Sequence, residues 1–178
     1  GWTGVVLRST GVAYDVRKAH PYLSYGELDF DVPVGTSGDN YDRLMCRQEE
    51  IRQSMRIIEQ ALVLMPDGGP VSIDDPRIVL PAKQAVHTTI EGTIQHFKAI
   101  MEGIKVPAGE CYSYTEAGNG ELGFYIVSDG SGTPYRVRVR PPCFASIQGL
   151  EQLIVGRMIP DIIPTFGSIN MIAGECDH

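Results

Sequence analysis

The sequence predicts an α+β fold in which long antiparallel helices come first, a small antiparallel β-meander follows, and a C-terminal helix closes the order. Two observations predict this class. Between residues 39 and 104, apolar side chains recur every three or four positions, as on the buried face of a helix. Between residues 109 and 141 the period falls to two, and glycine-rich turns separate three such runs, as in short strands.

The first 38 residues show no sustained hydrophobic period. We therefore expect residues 1–38 to be irregular or extended. Pro33 has no backbone N–H to donate, which confines the stretch 25–35 to a sheet edge or a loop.

The first long helix is predicted over residues 40–65. Asp39 or Asn40 can accept the free backbone N–H groups at its start, and Pro66 and the glycines that follow it end it. The opposite face of the helix is polar, so the helix is amphipathic. The predicted apolar stripe consists of Leu44, Ile51, Met55, Ile58, Leu62 and Met65.

A second helix is predicted from Lys83 to Glu102, with Gly103 as its stop. Its length and apolar stripe match those of the first helix, so residues 39–104 are expected to form an antiparallel helical pair. The stripe consists of Val86, Ile90, Ile94, Phe97 and Met101.

Three strands are predicted at residues 110–117, 121–127 and 134–140, joined by tight turns. Residues 144–178 are expected to form a helix and a tail, with the helix broken near Pro160 and Pro164. Within the tail, the apolar residues before Gly174 are expected to form a short strand.

Composition limits the possible functions. With 178 residues the chain can form one domain with a core, and its net charge of −7 argues against nucleic acid as the main partner. No apolar run approaches the ~20 residues that a membrane-spanning helix needs, and the first residues do not resemble a signal peptide. The four cysteines form no CxxC pair, so we expect reduced thiols in a cytosolic compartment.

Few residues suggest chemistry on their own. His87 and Glu91 have a spacing that can hold a metal from one helix face, but two ligands do not make a site, and an exposed polar pair is the favoured interpretation. Arg136, Arg138 and Arg140 share one face of a strand. They can clamp a phosphate or carboxylate, but the negative net charge favours contact with acidic residues of a neighbouring chain.

Several stretches together resemble one family. They are residues 7–17, 30–35, 41–43, 52–58, 123–130 and 134–136 and the pair Gly174-Glu175, in order and over nearly the whole chain. In these stretches the chain resembles the carboxyl-terminal half of the D subunit (the 49-kDa subunit) of the proton-pumping NADH–quinone oxidoreductase, respiratory complex I. The resemblance implies a fragment of a larger helical-bundle protein.

The resemblance also implies a role for the tail. The 49-kDa subunit is related to the large subunit of nickel–iron hydrogenases, where a Cys-x-x-Cys near the carboxyl end holds the metals. The equivalent places here are Ile172 and Glu175, which are not soft sulfur ligands, so no metal is expected. In the complex I family this emptied place contributes to the quinone cavity, which implies that Asn170, Ile172 and Glu175 line it.

The sequence departs from the family's usual residues at several places. They are Gly118-Asn119, Cys143, Asn170, Cys176 and His178.

The resemblance implies electron transfer from NADH, through iron–sulfur clusters held by partner subunits, to quinone as substrate, with no cofactor bound by this chain directly. It implies the B and C subunits and the membrane arm as partners, with Arg136, Arg138 and Arg140 as subunit-contact candidates. The location implied is peripheral, on the cytoplasmic side of a bacterial inner membrane or the mitochondrial matrix side. The fragment alone is expected to be inactive and able to self-associate. The alternative is a non-catalytic assembly module of a hydrogenase-related membrane complex.

Overall fold

The computed structural model describes residues 1–177, which contain eight helices and three strands. The helices are α1 (Gly4–Arg8), α2 (Val16–Ala19), α3 (Asn40–Leu64), α4 (Lys83–Thr88), α5 (Ile90–Met101), α6 (Pro142–Gln148), α7 (Leu150–Ile154) and α8 (Ile162–Ile169). The strands are β1 (Gly109–Ala117), β2 (Gly120–Ser128) and β3 (Arg136–Arg140). Three-residue 3-10 turns lie at Tyr25–Glu27, Ile159–Asp161 and Ala173–Glu175.

The three strands form one antiparallel sheet in the order β1-β2-β3. Gly118 and Asn119 make the two-residue turn between β1 and β2, the loop length that a tight hairpin uses. The predicted α+β class and the predicted meander are confirmed, because each strand begins and ends within two residues of the expected position.

The chain divides into two compact units. The first unit consists of residues 1–65, 113–124 and 139 onward, and the second consists of residues 66–112 and 125–138. The candidate site described below lies within the first unit.

The core of the first unit begins with α1. Val5 and Val6 are buried together with Cys46 of α3, and Trp2 packs against them.

The expectation that residues 1–38 are irregular or extended is wrong in part, since α1, α2 and a 3-10 turn lie there. Helices of four or five residues are too short to show a helical period in the sequence.

Helix α3 begins at Asn40 as predicted, with the Asp39 carboxylate accepting a hydrogen bond from the Asp42 N–H at 2.8 Å. Its orientation differs from the expectation. The residues of α3 that are buried are Arg43 and Cys46, which lie outside the apolar stripe. The stripe residues are exposed, from 52% at Leu44 to 63% at Leu62.

The second predicted helix is two helices, because the chain breaks at Thr89, whose backbone is extended. The Thr89 hydroxyl accepts a hydrogen bond from the Gly92 N–H at 3.0 Å and so caps α5. Gly92 sits against α4, since a Cβ at this position would lie 2.5 Å from the Ala85 carbonyl oxygen. Helices α3 and α5 belong to different units, so their antiparallel packing stays a prediction.

The C-terminal segment is more finely divided than predicted. Gly149 separates α6 from α7, and a Cβ there would collide with the Trp2 ring. The predicted break at Pro160 is confirmed by the 3-10 turn, but Pro164 is the third residue of α8. Proline is tolerated there because the first N–H groups of a helix have no intrahelical partner.

Within residues 1–177, every helix is either too short or too polar to cross a lipid bilayer. The predicted strand in the tail does not form.

Candidate functional site

The tail begins where α8 ends, at a backbone reversal. Asn170 adopts the left-handed conformation with φ of 56° and ψ of 51°. Asparagine is one of the few non-glycine residues that visit this region often. The chain is extended at Ile172 and then makes the 3-10 turn Ala173–Glu175. The predicted strand is therefore wrong, because this segment bonds to side chains of other elements and has no partner strand among the described residues.

Two arginines of α3 hold the end of α8. Arg43 Nε donates to the Ser168 hydroxyl at 2.8 Å, and Arg47 donates to the carbonyl oxygens of Ser168 and Ile169 at 3.2 and 3.1 Å. The last carbonyl groups of a helix have no intrahelical donor and bear partial negative charge. The guanidinium groups supply both the donors and the positive charge, so they fix the point from which the tail leaves.

Both guanidinium groups are desolvated. Arg43 is 2% exposed and forms no ion pair within the described chain, and burial lowers its pKa and that of Arg47. The sequence pattern placed both residues on the polar face of an amphipathic helix and offered no reason to bury them. Their spacing of four residues, which puts them on one side of the helix, was the available signal.

The tail is held from its other side by two buried side chains. The Asn170 side-chain amide donates to the side-chain oxygen Oδ1 of Asn119 at 3.0 Å, and the side-chain amide of Asn119 donates to the Cys143 sulfur at 3.3 Å. The backbone N–H of Ile172 donates to the same sulfur at 3.4 Å. Asn119 is 7% exposed and Cys143 is 1% exposed, so the bond between them is buried, whereas Asn170 is exposed and its bond to Asn119 is partly buried.

The Glu175 carboxylate also hydrogen-bonds to Cys143. Its Oε2 atom accepts the backbone N–H of Cys143 at 3.1 Å, at the start of α6. Burial, together with the nearby Glu175 carboxylate, raises the pKa of the Cys143 thiol to about 11. The thiol is therefore protonated at neutral pH and can accept hydrogen bonds without adding a negative charge.

The structure thus brings all three predicted site residues to one hydrogen-bonded group, two of them through their side chains. Asn170 and Glu175 both bond to residues of that group. Ile172 contributes its backbone N–H, and its side chain is 49% exposed and free to contact a ligand or partner. It stays a prediction that Asn170, Ile172 and Glu175 line a quinone cavity. The sequence did not indicate the roles of Asn119 and Cys143, because the partners are far apart along the chain.

A buried ionic cluster supports another part of the first unit. Arg8 forms ion pairs with Glu116 of β1 and Glu50 of α3, both at 2.7 Å, and lies 3.8 Å from Asp15. Burial alone lowers the pKa of Arg8, but the two glutamates outweigh it and the net shift is upward. Asp15 is also paired with Arg17 at 2.7 Å. The cluster ties α1, α2, α3 and β1 together.

The three arginines of β3 have different surroundings. Arg140 donates to the Gly1 carbonyl at 2.6 Å and to the Thr3 hydroxyl at 3.1 Å, so it anchors the first residues of the chain. Arg136 and Arg138 are exposed. Contact with neighbouring subunits stays a prediction for all three.

The candidate metal pair is not arranged as the sequence suggested. The break at Thr89 places His87 on α4 and Glu91 on α5, and both side chains are exposed. Residues 1–177 contain no group of three or more His, Cys, Asp or Glu side chains able to hold a metal. His178, one of the positions that departs from the family's usual residues, lies outside the described residues.

Fold and site together define an α+β chain whose tail is anchored by hydrogen bonds from three other parts of the sequence, which are α3, the β1–β2 turn and the start of α6. The family model described as "Respiratory-chain NADH dehydrogenase, 49 Kd subunit" matches residues 1–178. The chain belongs to this family.

Three relatives illustrate the similarity. The chain is 79% identical over its full length to a D subunit (D 1) of the NADH-quinone oxidoreductase of Sorangium cellulosum. It is 55% identical to the D subunit of the same enzyme in Pelobacter propionicus and 56% identical to the C/D subunit in Bdellovibrio bacteriovorus. The chain covers 44% of the first two relatives and 32% of the third, so it spans less than half of their length.

Proposed function

We propose that this chain is part of the quinone-reducing module of a proton-pumping NADH–quinone oxidoreductase, and that its tail lines the quinone cavity. The observation on which this rests is the match of the 49-kDa subunit family to all 178 residues, including the tail. In the proposed reaction a quinone takes up two electrons and two protons to become a quinol. The electrons originate from NADH and arrive through iron–sulfur clusters of partner subunits.

The arrangement of the tail supports this role in two ways. An electron acceptor must be held at a fixed distance from its donor, and the tail is fixed by α3 on one side and by Asn119 and Cys143 on the other. The exposed apolar side chain of Ile172 suits contact with a quinone ring, and Glu175 places a carboxylate three residues away. We assign quinone contact to Asn170 and Ile172, and proton delivery to Glu175.

The partners follow from the same proposal. The Bdellovibrio relative is named as a C/D subunit, which joins two subunits in one chain and supports the C subunit as a neighbour. The B subunit, which would hold the nearest cluster, and the membrane arm complete the set. We place the chain peripherally on the cytoplasmic side of a bacterial inner membrane, or on the matrix side in a mitochondrion, and we expect it to be inactive alone.

A substitution at Ile172 tests quinone contact. In membranes with the assembled enzyme, Ile172→Ser should weaken quinone or inhibitor binding without stopping assembly, because one altered apolar contact changes affinity by ~1–3 kcal/mol. NADH–quinone turnover and inhibitor titration measure the effect. Val71→Thr, at a fully exposed loop residue, serves as the control.

A substitution at Glu175 tests proton delivery. Glu175→Gln removes the charge but keeps an acceptor for the Cys143 N–H, so it should slow quinone reduction by about 10²-fold and change KM much less. Asp177→Asn, at an exposed carboxylate two residues on, is the matched control. Wild-type kinetics in both the Ile172 and Glu175 variants, with normal assembly, would contradict the proposal.

Wild-type kinetics in the Ile172 and Glu175 variants would instead favour a second candidate function. This candidate is a non-catalytic assembly module of a hydrogenase-related membrane complex. The observation in its favour is the long exposed apolar stripe of α3. In that case, variants in the stripe should lower the amount of assembled complex, whereas variants in the tail should not.

A further inference from the structure

Three side chains from distant parts of the sequence form one continuous hydrogen-bonded chain. Asn170 donates to Asn119 at 3.0 Å, and Asn119 donates to the Cys143 sulfur at 3.3 Å. Fifty-one residues separate Asn170 from Asn119, and 24 separate Asn119 from Cys143. We call Asn119, Cys143 and Asn170 the neutral triad, since amides do not titrate and the thiol is protonated at neutral pH.

We propose that Asn119 and Cys143 are positioning residues for the tail, which they fix through uncharged hydrogen bonds to the Asn170 side chain and the Ile172 backbone. This inference rests on the proposed function, because it concerns how the tail reaches its place at the quinone cavity. The sequence indicated Asn119 as hairpin chemistry and Cys143 as a reduced thiol. The structure assigns both to the tail.

The turn that presents Asn119 is fixed by its contact with the start of the chain. A Cβ at Gly4 would collide with the backbone carbonyl oxygen of Asn119, and a Cβ at Gly120 would lie 2.5 Å from the Thr3 hydroxyl oxygen. Both glycines have positive φ, 66° and 134°. The two backbones therefore touch, and the Asn119 side chain extends from a turn that has no room to shift toward α1.

The hydrogen-bonding capacity of Asn119 explains why the triad is neutral. Its side-chain oxygen accepts from Asn170 and its amide donates to Cys143, so both ends of the side chain are used. An aspartate at position 170 would set two oxygens against each other at 3.0 Å. If Asn119 turned its amide to donate to that aspartate, the Cys143 sulfur, which is in a site that is 1% exposed, would lose one of its two donors and keep only the Ile172 N–H.

The triad therefore predicts a non-additive response to charge. Asn170→Asp should raise the quinone KM about fivefold with a smaller change in kcat, the equivalent of one net hydrogen bond. Asn119→Lys should do the same, because its ammonium group has no acceptor for the Asn170 side-chain N–H. The double variant contains an ion pair across the same contact, and its KM should return to within about twofold of the original. Gln48→Glu, at an exposed position of α3, is the control for an added charge.

Substitutions at Cys143 test the other half of the inference without any need for quinone. In the assembled enzyme, Cys143→Ala removes the acceptor for the Ile172 N–H, and hydrogen exchange at that amide should accelerate about fivefold. Cys143→Ser restores an acceptor and should restore much of the protection. Assembly is measured first in every variant.

The outcomes separate the two proposals. Unchanged exchange at Ile172 in Cys143→Ala, or additive effects of Asn119→Lys and Asn170→Asp, would overturn the positioning role. Faster exchange at Ile172 combined with wild-type kinetics in the Ile172 and Glu175 variants would support the positioning role and refute the quinone site. If Asn119→Lys does not assemble, the Cys143 pair still decides the question.

Discussion

The first unit desolvates the guanidinium groups of Arg8, Arg43 and Arg47, and it stabilises their charge in two different ways. Arg8 faces carboxylates, which raise its pKa despite burial. Arg43 and Arg47 bond to hydroxyl and carbonyl oxygens, and burial lowers their pKa. A guanidinium fork can satisfy several acceptors at once and remains charged in either setting. In this chain, the same residue type supports an ionic cluster and a helix end.

The Arg8 cluster predicts a large effect from a single substitution. Arg8→Met should destabilise the chain by roughly 3–5 kcal/mol, because it leaves Glu116 buried without its cation. Arg52→Met is the matched control, since Arg52 pairs at 2.8 Å with Glu49, which adjoins Glu50, but is 65% exposed and should contribute at most about 1 kcal/mol. Urea unfolding of both variants measures the difference. Equal destabilisation would contradict the buried-pair argument.

The Cys143 thiol predicts a pattern of chemical reactivity. With a pKa of about 11, roughly one thiol in a thousand is ionised at pH 8, and burial hinders access further. Alkylation by iodoacetamide at pH 8 should therefore modify exposed Cys111 at least about 100-fold faster than Cys143. Mass spectrometry of the labelled peptides checks this, and comparable rates at the two residues would contradict it.

The same raised pKa fixes the sign of a pH effect on stability. The unfolded thiol ionises near its ordinary pKa of 9.0, whereas the folded thiol resists ionisation until about 11. Stability from this group is therefore complete below pH 9 and is lost as the pH rises toward 11. The free energy of unfolding should fall more steeply over this range in the original chain than in Cys143→Ser.

At the scale of elements, glycine positions decide how closely helices approach. Gly92→Ala should destabilise the α4–α5 pair by about 1–3 kcal/mol, because its Cβ would press against the Ala85 carbonyl oxygen. Gly167→Ala, also inside a helix, meets no atom within 4 Å and should be neutral or stabilising by up to about 1 kcal/mol. Thermal unfolding distinguishes the two. A loss of stability in Gly167→Ala as large as in Gly92→Ala would refute the contact.

The elements also show how far the sequence was informative. The strands of the meander and the start of α3 were predicted within two residues, because alternation and capping are local signals. The buried side of α3 was not predicted. Periodicity identifies an apolar face but does not say whether that face or the opposite one meets the rest of the same chain. Arg43 of the opposite face donates to Ser168, which lies 125 residues away in the sequence.

The candidate site was predictable only in part, because some of its residues come together through contacts between distant parts of the sequence. Asn170 and Glu175 were named from the resemblance of the tail, and both lie in the hydrogen-bonded group. Asn119 and Cys143 join that group through tertiary contacts, and a hairpin turn or a cysteine that is not part of a CxxC pair gives no local sign of them. The helical form of residues 162–169 was hidden by Pro164, which usually indicates a break.

At the scale of the whole molecule, exposed apolar surface is the dominant property. Ile51, Ile58 and Leu62 lie on one face of α3 and are each about 60% exposed. Contiguous apolar surface of this kind is typical of a protein interface. The isolated chain should therefore self-associate at micromolar concentrations, and Ile58→Glu with Leu62→Glu should shift it toward monomer. Sedimentation velocity over a wide concentration range measures this, and a monomer throughout in the original chain would refute it.

The division of the first unit into three separate stretches of sequence has a consequence for synthesis on the ribosome. Arg8 cannot meet Glu116 until 108 further residues have been added, which takes ~5–20 s at the usual rates of translation. During that interval Arg8 of α1 has emerged without its partner from β1. Nascent α1 is thus the segment that we expect a chaperone to bind, and the tail, whose Glu175 must reach Cys143, docks later still.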